Sequence, residues 1–157
     1  MYLSYAAWAS NKGYGGIANF LFRHSNGERI HMMNILEYIL ERGAKVKVEV
    51  IPSPPEDPIS IQNCFEKIFE HEVDNTKGIY KLVKMSFVEE DWATWHFMKW
   101  FVKEQTEEET LALNLLDKIK IAGGTNAGAE AIYVLDRDLQ TKSDDAVLAE
   151  DKTAANP

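Results

Sequence analysis

Apolar residues recur every three to four positions through most of this chain. Between 14 and 42 one stripe collects Ile17, Phe20, Leu21, His24, Glu28, His31, Ile35 and Ile39. Between 60 and 88 it collects Phe65, Ile68, Phe69, Glu72, Thr76, Ile79 and Val83, and between 92 and 121 Phe97, Phe101, Glu104, Glu108, Leu111, Leu115 and Ile119. This period is that of helix. Pro52, Pro54, Pro55 and Pro58 crowd into seven positions and the fifth proline is Pro157, so 14–42 and 59–122 lack the residue that breaks helix interiors. A shorter helix over 1–11, with Leu3, Ala6 and Ala7 on one face, ends at Asn11-Lys12-Gly13. Gly43 suits the C-cap of the second helix. Glu89-Glu90-Asp91 marks a turn, Gly123-Gly124 closes the fourth helix, and Ala131, Ile132, Leu135 and Leu139 predict a fifth over about 127–139.

Lys45 to Val50 alternates basic and apolar residues as a short strand would, but no second run offers it a partner. It reads as the start of an extended connection over 44–58. A crossover of about 16 residues at ~3.3 Å each can span the length of the neighbouring helices. The expected architecture is therefore all-α: a four-helix bundle with a long crossover between the second and third helices, plus a short fifth helix.

Composition narrows the function classes. The 157 residues suit one domain, here 1–140, followed by 141–157, which holds four acidic and two basic residues and few large apolar ones and reads as a disordered acidic tail. With 17 basic and 25 acidic side chains the formal charge is −8, which argues against general nucleic-acid binding. No apolar run approaches the length of a membrane span. The single cysteine, Cys64, excludes an intrachain disulfide and a four-cysteine metal site, and fits a reducing, cytoplasmic setting. Met1 to Trp8 lacks a basic head and a cleavage pattern, and begins in the middle of a helical pattern.

The informative residues are polar ones lying on apolar stripes. Glu28 follows Leu21 by seven positions and precedes Ile35 by seven, and His31 shares its face. Glu72 holds the corresponding place between Phe65 and Ile79; Glu104 lies three beyond Phe101, Glu108 seven before Leu115, and Glu107 beside them. Burying carboxylates is costly unless each is paired or neutralised, and inward lysines and arginines are too few for that. Protonation or metal cations remain. Carboxylates with one imidazole form a donor set suited to Fe, Mn or Zn.

Each feature alone has a blander reading. An isolated Glu-x-x-His is common, an inward glutamate is usually a rim residue, and Glu107-Glu108-Glu109 would ordinarily be a solvated run. His24 and His96 read as packing or surface residues, and Cys64 as a small core or surface residue rather than a reactive thiol. Three helices each placing a carboxylate on an aromatic-rich stripe favour metal binding.

Taken together, Tyr2-Leu3-Ser4, Glu28-Arg29-Ile30-His31, Phe69-Glu70-His71-Glu72, Phe97 through Phe101, Glu104-Gln105-Thr106-Glu107-Glu108-Glu109 and Ile132-Tyr133-Val134-Leu135-Asp136 resemble the bacterial non-haem ferritins. The resemblance covers about residues 1–139. It implies a ferritin-like fold, a homo-oligomeric cage of 24 subunits, and a dinuclear non-haem iron centre that oxidises Fe(II) with dioxygen for mineral storage. No nucleic-acid or membrane partner is expected, on the acidic charge and the lack of a long apolar run. By the same resemblance, Glu28 would bridge two irons, His31 bind the first, and Glu72 and Glu108 serve the second. Glu104 and Glu107 would belong to a third site, with Tyr2 and Gln105 beside the centre.

Two departures stand out. The family's first-helix glutamate would fall about seven residues before Tyr2, upstream of Met1, so an incomplete sequence is the expectation. Gly27 stands where the family usually has another glutamate, which weakens the third site and costs roughly 1 kcal/mol of helix propensity against alanine. The rival reading is a structural cage subunit with impaired or absent ferroxidase activity. Bacterioferritin is disfavoured by the missing second Glu-x-x-His, rubrerythrin-like peroxidases by the missing cysteines, and DNA-protecting mini-ferritins by the helix pattern. A helical bundle without a metal role is the remaining alternative.

Overall fold

Five helices form where the apolar period places them. In the computed structural model, which describes residues 1–141, they are α1 (Tyr2–Asn11), α2 (Gly15–Glu41), α3 (Ile61–Val88), α4 (Trp92–Ile121) and α5 (Ala129–Thr141). There is no strand among the described residues, and Lys45 to Val50 lies in an irregular, mostly exposed connection, as expected of an alternating run without a partner. The fourth helix is followed by a 3₁₀ turn, Gly124–Asn126, which the sequence reading lacked and which delays α5 to residue 129. The turn is anchored by the Thr125 hydroxyl, which donates to Gln62 Oε1 at 2.9 Å. The predicted acidic tail lies outside the described residues, apart from Thr141, which α5 takes in. No helix among the described residues is long and apolar enough to cross a membrane.

The helices fall into two compact units, one of residues 1–58 with α5 from Tyr133 onward, the other of Ile59–Ile132. In the first, α1 and α2 form a helical hairpin. Its turn closes α1 with the paired bonds Gly13 N–H to Ser10 C=O and Tyr14 N–H to Ala9 C=O, both 3.0 Å. Gly13 supplies the left-handed φ of +84° this closure needs. Trp8 packs against Tyr14 beneath it, ring centroids 6.3 Å apart. Gly43, with φ +76°, ends α2 in the same way.

The N-terminus of α2 has no local side-chain cap. Instead Ile17 N–H donates to Asp136 Oδ1 of α5 at 2.8 Å, so a carboxylate far along the chain satisfies one of the orphan donors of α2's first turn. Arg23 returns a bond to the Leu139 carbonyl at 3.3 Å, near the end of α5. This approach requires Gly16, since a Cβ there would stand 1.7 Å from the Asp136 carbonyl oxygen. Tyr5, Ala6, Ala9, Ile17, Leu21 and Leu139 are buried in this unit.

The stripe on α2 is not buried along its length. Gly16 to Leu21 hold all its buried residues, while His24, Glu28, His31, Ile35 and Ile39 are half-exposed. A helix of 10 residues reaches only ~15 Å along the ~40 Å of its 27-residue partner, so α1 covers the near half alone.

In the second unit α3 and α4 make a longer hairpin with a core of Ile61, Cys64, Phe65, Ile68, Met98, Phe101, Leu115, Leu116 and Ile119. Ser60 caps α3, its hydroxyl accepting from Asn63 N–H at 3.0 Å. Asp91 caps α4 through Thr94 N–H at 3.1 Å. Between them Glu90 takes a left-handed φ of +54°, a position that costs a side-chain-bearing residue ~1–2 kcal/mol.

Candidate metal centre

In the first unit, Glu28 and His31 stand one turn apart on α2. Their side chains are 34% and 14% exposed, and Glu28 Oε2 lies 3.7 Å from His31 Nδ1. Tyr2 of α1 is buried and stacks on His24, ring centroids 5.5 Å apart and planes inclined by 25°. Phe20 meets the same imidazole at 4.2 Å, so His24 is a half-buried packing residue; His96 is exposed. Gly27 faces open space, with nothing within 4 Å of where a Cβ would stand. Packing therefore does not demand glycine there.

In the second unit Glu72 is wholly buried on α3. Gln105 of α4, also buried, donates from Nε2 to Glu72 Oε2 and to the Glu72 carbonyl, both at 3.2 Å. Asn75 Nδ2 adds a bond to Glu72 Oε2 at 3.3 Å. Two N–H contacts, from Gln105 and Asn75, thus fix the orientation of one carboxyl group. Glu104 and Glu108 are half-buried and four residues apart, on one face of α4. Glu107 turns away: its side chain is 44% exposed and meets Lys103 Nζ at 3.2 Å.

The structure thus joins Glu28 with His31 in one hairpin, and Glu72 with Gln105 in the other. Among the described residues no group of three or more His, Cys, Asp or Glu side chains is arranged to hold a metal ion. Sequence reasoning missed Asn75 and Glu109 as members of the polar group around Glu72. Thr76 lay on the predicted stripe without a role, four residues after Glu72, just as Glu109 follows Gln105 by four. That pairing becomes legible only once the register of α3 against α4 is fixed.

Cys64 is fully buried, and burial pushes its thiol up to about 12 against a smaller opposing pull from Lys67. The unfolded chain therefore ionises first as pH rises, and this residue's contribution to stability falls above the ordinary thiol range of ~8.5. At about pH 8 the native protein is expected to leave Cys64 unmodified by a thiol reagent, with one thiol per chain reacting after denaturation. Fast modification of the native protein would contradict its burial.

Comparison with known proteins places this geometry in a family. A family model described as a ferritin-like domain matches residues 1–122. The probable bacterial non-heme ferritin-like protein of Haemophilus influenzae is 34% identical over 139 residues, covering 88% of this chain and 82% of the relative. The bacterial non-heme ferritin of Campylobacter jejuni is 34% identical over 137 residues, covering 87% and 80%. Among solved structures, the open pore ferritin of the hyperthermophilic archaeon Archaeoglobus fulgidus superposes with a TM-score of 0.86 at 34% identity, covering 90% of this chain and 86% of that one. The fold class is accordingly a ferritin-like four-helix bundle, all-α, with a long crossover between the second and third helices and a short fifth helix. On sequence and on fold alike, this chain belongs to the ferritin-like family.

Proposed function

We propose that this protein stores iron: it takes up Fe(II), oxidises it with dioxygen, and deposits the ferric product inside a homo-oligomeric cage of 24 copies in the cytoplasm. The observation that carries this reading is Glu72, a wholly buried carboxyl group held in one orientation by Gln105 and Asn75. Such an investment in a buried acid suits a group that meets a cation rather than water. The relatives named bacterial non-heme ferritins support the choice of iron.

In this reading Glu28, His31, Glu72 and Glu108 receive Fe(II) at a dinuclear site, with Tyr2 and Gln105 beside it, while Glu104 and Glu107 serve a third position. Carboxylates suit the task because their charge offsets the rise from Fe(II) to Fe(III). Each Fe(II) gives one electron to dioxygen, and the ferric product hydrolyses with release of protons. An excess of 25 acidic over 17 basic side chains favours the approach of cations.

A second reading, a cage subunit that holds iron oxidised elsewhere, is favoured by the absence of a three-ligand cluster among the described residues. Anaerobic titration with Fe(II), metal counted per chain, followed by oxygen, separates the two. About two tightly held irons and rapid oxidation are expected, the stoichiometry of a dinuclear carboxylate site in a helical bundle. Less than one iron per chain with slow oxidation would establish the second reading instead.

A further inference from the structure

Glu109 does not behave as a member of a solvated charge run. Its carboxyl Oε1 accepts a hydrogen bond from the hydroxyl of Thr76, a buried residue on the facing helix. A hydroxyl carries one proton and two lone pairs. With the proton committed to Glu109, Thr76 offers only lone pairs to Gln105, whose Nε2 lies 3.4 Å away. The same nitrogen donates to the carboxyl and the carbonyl of Glu72. Were the amide reversed, its carbonyl oxygen would face three acceptors at once, an arrangement with no proton to share.

We propose that Thr76 and Glu109 are positioning residues: they lock the Gln105 amide with its NH₂ end toward Glu72, and so hold Glu72 in the orientation that receives Fe(II). This role rests on the reading of Glu72 as an iron ligand given above. Neither residue touches iron. The chain runs from a half-buried carboxyl on α4 through a hydroxyl on α3 and back to α4 before reaching Glu72, so it also ties the two helices at the height of the site.

Four variants of the full chain test it: Thr76→Val, which keeps the shape but loses the hydroxyl; Thr76→Ser, which keeps it; Glu109→Ala; and Glu109→Gln, which keeps an acceptor oxygen. Thr76→Val and Glu109→Ala are expected to weaken anaerobic Fe(II) binding roughly 10- to 100-fold, the usual cost of losing a partner behind a metal ligand, and to raise the Fe(II) concentration at half-maximal rate. Thr76→Ser and Glu109→Gln should restore both values to within about threefold of the parent. The second readout needs no iron. In crystals of metal-free Thr76→Val, the Gln105 amide should leave hydrogen-bond distance of Glu72.

Parent protein that fails to bind Fe(II) defeats the proposed function. Parent protein that binds it while Thr76→Val binds equally tightly defeats the positioning role alone. An unchanged Gln105 to Glu72 contact in metal-free Thr76→Val overturns it whatever the iron data show. A variant that merely melts earlier, with binding per folded subunit unaltered, also overturns it.

Discussion

Glu28→Ala is expected to abolish rapid Fe(II) oxidation, lowering the initial rate at least ~100-fold, while Glu107→Ala changes it less than ~3-fold. Glu28 contributes a carboxyl group 3.7 Å from His31 on the same helix face, so its loss removes a charge and leaves the imidazole without that neighbour. Glu107 is spent on an exposed ion pair with Lys103, a contact that water and salt replace at little cost. Neither change should unfold the protein, because both sites are in helix interiors away from the buried core and alanine favours helix. Stopped-flow absorbance of the ferric product after mixing with aerated Fe(II) measures the two rates. Equal rates would remove Glu28 from the role given to it.

Gly16→Ala should destabilise the folded chain by about 3 kcal/mol, although alanine is the better helix former. The added Cβ would stand 1.7 Å from the Asp136 carbonyl oxygen, a backbone atom that cannot swing aside as a flexible side chain would. Helix α5 must then lift, and the bond from Ile17 N–H to Asp136 goes with it. Overpacking and a lost bond to a carboxylate together exceed the propensity gain. Asp136→Ala, which removes the bond without the clash, should cost only about 1.5 kcal/mol. Urea titration followed by circular dichroism gives both values. A Gly16→Ala protein as stable as the parent would mean that α5 does not pack there.

The contrast between these two positions shows what a sequence discloses. The helices were legible almost to the residue, because a 3.6-residue stripe persists over many turns and four prolines fence off the crossover. The carboxylates at 28, 72, 104 and 108 were legible because charge interrupts those stripes. Nothing periodic announces Asp136 as the cap of α2, or Glu109 as the acceptor for Thr76. These depend on how one helix slides against another, and a single contact leaves no repeat. Burial on α2 stops early because the stripe is continuous but the helix laid on it is short. Glu90 broke a local rule, taking a left-handed position that Gly13 and Gly43 hold elsewhere.

The distant cap on α2 bears on the order in which the molecule can be made. Hairpin formation between α1 and α2 needs only neighbouring residues and can begin as soon as they leave the ribosome. The donor at Ile17, however, waits for an acceptor 119 residues downstream, among the last described parts of the chain to be synthesised. Until Asp136 emerges and settles over Gly16, the N-terminal end of α2 should stay frayed, and nascent chains halted before that point should be more open to proteases there than finished ones.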